Sequence, residues 1–159
     1  MSDLPSTALA AGNTDRAISA ANKLLELSEK YRTNWNYGNA VNKAHTVLGI
    51  VALKNGDIEA AKRHLHLSSI DIATPQTTSF GPSLDLAREL AKVGEKACVL
   101  EYLDAFERLC GVTNNWAFQL RYTMEHGGEG APANPPERER YVDSQLEHQL
   151  AALQKQDLN

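Results

Sequence analysis

The chain has 159 residues, 42% of them hydrophobic and 23% charged, which suits one globular domain with a real core and excludes a mainly disordered or fibrous chain. Its formal net charge of -4 argues against a general nucleic-acid surface, and no apolar run approaches the roughly 18 residues that a membrane span requires. The opening MSDLPSTALAAGNTD carries no basic segment ahead of its small apolar patch, so it does not read as a secretory signal and a cytoplasmic protein is the expectation.

Helical spacing dominates the chain, and nowhere do β-branched residues alternate with polar ones long enough to make a strand. Ala17, Ala21, Leu24, Leu25 and Ser28 form the buried stripe of a helix predicted from about Thr14 to Tyr31. A second helix, from about Asn36 to Lys54, carries Ala40, Ala44, Val47, Leu48, Val51 and Ala52 inward. Asn55-Gly56 stops it, because both residues tolerate the left-handed conformation that closes a helix C-terminus. Asp57 then caps a helix to about Ile70, with Glu59 near the positive end of its dipole.

The next segment, ATPQTTSFGPS, holds two prolines and several hydroxyl residues and reads as a loop. Pro82 suits the first turn of a helix running through Leu84, Leu86, Ala87, Leu90, Ala91 and Val93 to a break at Gly94. Another helix carries Ala97, Val99, Leu100, Leu103, Phe106, Leu109 and Cys110 and turns at Gly111. Cys98 and Cys110 share it, about 18 Å apart at helical rise, too far to bridge. They read as small apolar core residues.

A shorter helix with Trp116, Leu120, Tyr122 and Met124 ends at His126. These segments make residues 1–126 one helical domain. Residues 127–136, rich in glycine and proline, form a linker. Residues 137–157 form a last helix with Val142, Leu146, Leu150 and Leu153 on a narrow apolar seam. A lone helix of that length is marginal in water, so it must cap its own domain or pair with a second copy, making a homodimer.

Aligning the helix breaks exposes a repeat. GNTDRAISAA from Gly12, GDIEAAKRHL from Gly56 and GEKACVLEYL from Gly94 each join a glycine to a polar step and a small-to-apolar helical face. They recur about 40 residues apart, in the range of helical-hairpin solenoids. In the middle copy Leu48, Gly49, Gly56, Ala61 and Leu65 stand at the spacings of the tetratricopeptide repeat, which this stretch resembles. Gly49 and Ala61 let two helices approach while Leu48 and Leu65 fill the flanks. His45 and Ala52 depart from the family pattern, which has large aromatics there, and Val99 replaces an expected alanine.

The resemblance implies an all-α fold of antiparallel helical hairpins stacked as a short solenoid, with an additional C-terminal amphipathic helix. It also implies a concave groove that binds a peptide or another protein. Carrying the family's groove positions onto this chain names Lys43, Thr46, Ile50, Leu53 and Lys54, with Leu84, Arg88, Ala91 and Lys92 from the next copy. Four of the nine are basic in an acidic chain, which points to an acidic partner. The asparagines of the family's clamp for carboxylate termini are not present as a complete set.

A second reading rests on NWNYGNAVNKAH, where Trp35, Tyr37, Asn39 and His45 offer aromatic platforms and polar groups for a small-molecule pocket, with or without turnover. The structural alternative is that Asn34 or Asn36 caps the helix, Trp35 packs on the preceding hairpin and Tyr37 bonds across it. No phosphate loop, dinucleotide fingerprint or HEXXH motif occurs, so no catalytic residue, cofactor or metal is assigned. His64 and His66, two apart on a helix, point in different directions. His45 brings a titratable group toward the hairpin interior.

Overall fold

The computed structural model of the protein describes residues 4–111, 115–126 and 147. Its described secondary structure is entirely helical: α1 (Leu4–Ala10), α2 (Thr14–Lys30), α3 (Tyr37–Lys54), α4 (Ile58–Leu67), α5 (Pro75–Phe80), α6 (Asp85–Lys92), α7 (Lys96–Cys110) and α8 (Asn115–His126). Among the described residues no helix is long and apolar enough to cross a membrane. The chain divides into two units, Met1–Cys110 and Gly111–Asn159. The first holds α1 to α7 and the second α8. The linker expected at 127–136 and the helix expected at 137–157 lie outside the described residues, apart from Glu147.

The three aligned glycines stand at three equivalent elbows. Gly12, Gly56 and Gly94 all have positive φ, at 76°, 81° and 90°, and each ends a helix with the same pair of hydrogen bonds. The glycine N–H bonds to the carbonyl three residues back, Leu9, Leu53 or Ala91, at 3.0, 3.0 and 3.1 Å. The next N–H, from Asn13, Asp57 or Glu95, bonds to the carbonyl five back, at 3.0, 2.9 and 3.0 Å. This is the Schellman closure, and it satisfies carbonyls the helix would otherwise orphan. At the first two elbows the next side chain also starts the following helix. Asn13 Oδ1 accepts from Arg16 N at 3.1 Å and Asp57 Oδ1 from Ala60 N at 2.9 Å. At the third, Glu95 instead reaches Lys62 of α4 at 3.3 Å.

Short connections join the helix pairs α1–α2, α3–α4 and α6–α7, which pack on one another. Their first helices are neighbours in order, α1 against α3 and α3 against α6, and α4 packs on α7. The middle helix is the hub, contacting α1, α2, α4, α5 and α6. A helix surrounded on so many sides needs small residues, and α3 buries Gly38, Ala40, Ala44 and Gly49. A Cβ at Gly49 would stand 2.2 Å from Leu86 Cδ2 and 3.1 Å from His64 Cβ, so α4 and α6 converge there. Ala61 and Leu65 are fully buried on the facing side of α4.

Three local expectations need correction. The segment around Pro75 is not all loop, since residues 75–80 form α5. Pro75 at the first helical position loses no needed N–H, and Thr77 Oγ1 accepts from Thr74 N at 3.0 Å, a return bond of the capping-box kind. The helix expected from Pro82 starts at Asp85, because the preceding residues are drawn to α3, with Ser83 N–H donating to Asn42 Oδ1 at 2.8 Å. Finally, α4 stops at Leu67 rather than near Ile70. Ser68 and Ser69 turn their hydroxyls onto the Leu65 and His66 carbonyls at 2.7 and 2.8 Å, in competition with the backbone ladder.

Gly38 marks the tightest approach in the fold: a Cβ there would lie 2.0 Å from the Ile72 carbonyl oxygen, a backbone atom that cannot swing aside. Gly12, by contrast, has nothing within 4 Å of such a Cβ. Gly12→Ala is therefore expected to cost only the left-handed backbone penalty, about 1–2 kcal/mol. Gly38→Ala should cost about 1–3 kcal/mol or more as overpacking. Urea unfolding of the two variants checks the order, and equal losses would contradict this packing.

Candidate functional site

The α3–α6 junction is anchored by one buried amide. Asn42 is fully buried, although a lone asparagine in a helix interior is a poor choice on propensity. Its amide NH₂ donates to the Ser68 carbonyl at 3.0 Å and lies 3.3 Å from the Tyr102 hydroxyl, while its Oδ1 accepts from Ser83 N. The Tyr102 hydroxyl in turn donates to the Ser83 carbonyl at 2.6 Å. Burial pushes the Tyr102 phenol up to about 12, so it stays protonated and able to donate. One side chain of α3 thus ties the end of α4, the entry to α6 and the middle of α7. No buried side-chain nitrogen or oxygen among the described residues lacks a partner.

With α6 held in that position, an open trough of about 510 Å³ lies between it and the C-terminal half of α3. Ile50, Leu53 and Lys54 line it from α3, and Arg88 and Glu89 from α6, with Val93 just beyond. These include four of the nine groove residues named from the sequence. Thr46 and Leu84 are instead buried at 5% exposure each, Thr46 inside α3 and Leu84 at the α6 entry. Lys43 and Ala91 are half-buried outside the trough lining, and Lys43 is already engaged by another group. Lys92 is exposed and paired with Glu89 at 2.6 Å.

The trough is less basic than the sequence suggests. Arg88 stands 3.5 Å from Asp85, which also lines the trough. Lys54 has no ion-pair partner among the described residues. The positive end of the trough is therefore at Lys54, beside the apolar floor of Ile50 and Leu53.

The residues of the small-molecule reading do not share one cavity. Trp35 is 60% exposed, whereas Tyr37 is buried. Asn39 donates back to Asn36 Oδ1 at 3.0 Å. His45 lies six residues further along α3, about 9 Å up the axis on another face. A hollow of about 390 Å³ does open beside Tyr37, but its other walls include Tyr31, Asn34, Asn36 and Leu24. Tyr31 is missed by sequence reasoning because its exposure follows from the bend after α2 rather than from any spacing.

His45 faces His64 of α4 with Nδ1 atoms 3.1 Å apart. Both rings are half-buried. Burial, and then the neighbouring His64, push His45 down to about 4, while burial and Arg63 lower His64. Sequence spacing shows His45 turning inward but not its partner, which arrives from the other arm of the hairpin. A further hollow between α4 and α7 contains Cys98 and Lys62. Lys62 is occupied by Glu59 and Glu95 at 3.0 and 3.3 Å. Both cysteines are free and half-buried, and burial raises both thiols, which donate to the Glu95 and Thr77 carbonyls. Neither thiol is placed as a thiolate nucleophile.

Comparison of the chain with family models, with curated proteins and with solved structures found no match.

Two outcomes test this geometry. Removing the Asn42 amide strands the Ser83 N–H and the Ser68 carbonyl, each worth about 1–3 kcal/mol when buried and unpaired. Asn42→Ala removes three hydrogen bonds and should therefore lower stability more than Tyr102→Phe, which removes two, the donation to the Ser83 carbonyl and the acceptance from the Asn42 amide, as read by urea unfolding. The second outcome is a pH dependence. Because the folded His45 value lies near 4, below its ordinary 6.5, the unfolded chain takes up the proton first. Stability should then fall as pH drops from about 6.5 towards 4 and level off below. Thermal melts should show a steeper fall for wild type than for His45→Gln across that window, and parallel curves would contradict it.

Proposed function

We propose that this chain is a non-catalytic binding module, a short tetratricopeptide-like stack that receives a peptide segment of a partner protein in the α3–α6 trough. Three equivalent elbows, the ordered contacts of α1, α3 and α6, and the small residues at Gly49 and Ala61 support the tetratricopeptide-like reading. In such a stack the first helices of the hairpins line the inner face, and the trough is lined by two helices that hold that place in the repeat, α3 and α6.

The observation that carries the functional reading is the composition of that trough. Ile50 and Leu53 leave apolar surface half-exposed, Val93 is 52% exposed, and Lys54 stands at the rim without a carboxylate. An apolar side chain of the peptide fits against Ile50, Leu53 and Val93, with an acidic group toward Lys54. Area burial supplies the affinity, and the charge sets orientation and on-rate.

A displayed library of random peptides, selected on the full chain, tests this. Enriched peptides should combine an apolar anchor with an acidic residue. Leu53→Asp should abolish their capture, and Lys54→Glu should weaken it roughly tenfold at low salt, with a smaller effect at high salt. Peptides that bind both variants as well as wild type would place recognition elsewhere and sink the proposal.

A further inference from the structure

The meeting of His45 and His64 inside the α3–α4 hairpin has a geometry that suits more than a hydrogen bond. Imidazole nitrogens bind zinc at about 2.0–2.1 Å, and two such bonds span the observed Nδ1 separation of 3.1 Å when the angle at the metal is about 98°, between square-planar and tetrahedral. The ring centroids lie 5.3 Å apart with the planes tilted by 34°, so the rings converge at their nitrogens without stacking face to face.

We infer that His45 and His64 form a two-histidine site for a divalent transition metal of the imidazole-preferring class, such as Zn²⁺, Ni²⁺ or Cu²⁺, bound through both Nδ1 atoms.

The backbone holds the pair in place. Gly49 allows α4 and Leu86 to close on α3 one turn beyond His45, and His64 Cβ lies 3.1 Å from the position a Gly49 Cβ would take. The ligands come from two rigid helices joined by a tight elbow, which keeps the ordering cost of binding small. Both rings are neutral near neutral pH, the state that ligation requires. In the metal-free pair one Nδ1–H donates to the other Nδ1. To ligate, the donor ring moves its proton to Nε2 through solvent, a change of tautomer with no change of charge.

Among the described residues no group of three or more His, Cys, Asp and Glu gathers to hold a metal. The remaining coordination positions therefore fall to water or an incoming ligand, as in an open site rather than a closed structural one. Nitrogen donors exclude Mg²⁺ and Ca²⁺, which take oxygen. The positive charge of Arg63, which already acts on His64, weakens the site for any cation. Micromolar rather than picomolar affinity follows.

Calorimetric titration of the full chain, stripped of metal, with ZnCl₂ at neutral pH should show one ion bound per chain, and MgCl₂ should show none. His45→Ala and His64→Ala should each weaken Zn²⁺ by at least the roughly 10- to 100-fold that even outer-shell changes cost. His66→Ala should leave it unchanged. His45→Gln and His64→Gln, checked for fold by circular dichroism, serve if the alanine variants do not fold. With Cu²⁺, electron paramagnetic resonance should show hyperfine coupling to two imidazole nitrogens. Absence of Zn²⁺ binding by wild type, or unchanged affinity in the folded His45 and His64 variants, would overturn the site.

Discussion

The arrangement of the helices depends on one buried amide. Asn42 sits where helical spacing would place an apolar residue, and its three hydrogen-bonding neighbours belong to separate segments: Ser68 after α4, Ser83 before α6 and Tyr102 in α7. Apolar packing alone lets helices slide and rotate at modest cost, since hydrophobic contact is non-directional. Hydrogen bonds at fixed distances do not. In a buried site, each unmade bond leaves a desolvated polar group, so the alternatives to this arrangement are penalised more than the arrangement itself is rewarded. The amide selects one packing among several that would bury similar area.

Around that point the chain solves the same problem three times. Each elbow ends one helix with a left-handed glycine and starts the next within three residues. The small residues of α3 let five other helices reach it. The C-terminal half of α3, with Ile50, Leu53 and Lys54, lines the trough beside α6. The trough thus lies on the part of α3 that its neighbours leave half-exposed.

His45 turns into the α3–α4 hairpin, and His64 fills the space opposite. Two imidazoles pack almost as an aromatic pair would, with centroids 5.3 Å apart, but they bring nitrogen donors and a proton-sensitive interaction into the hairpin. A charge placed on either ring is poorly solvated there.

The sequence by itself determined the helices and their elbows. Gly12, Gly56 and Gly94 carry their signal locally, in the backbone freedom and the capping atoms of a few adjacent residues. The stripes of Ala17, Ala21, Ala44, Val47, Ala61 and Leu65 were readable for the same reason, since periodicity on one helix is a property of that helix. Ile50, Lys54 and Arg88 could be named for the trough because they follow from a repeated register. Tertiary structure decided the rest. It buried Thr46, set Arg88 against Asp85, exposed Trp35 and made Asn42 the central tie. It brought His64 to His45 and made a short helix of the segment at Pro75. These outcomes depend on which groups from distant parts of the chain arrive together, and no local spacing encodes the distance between atoms on two different helices.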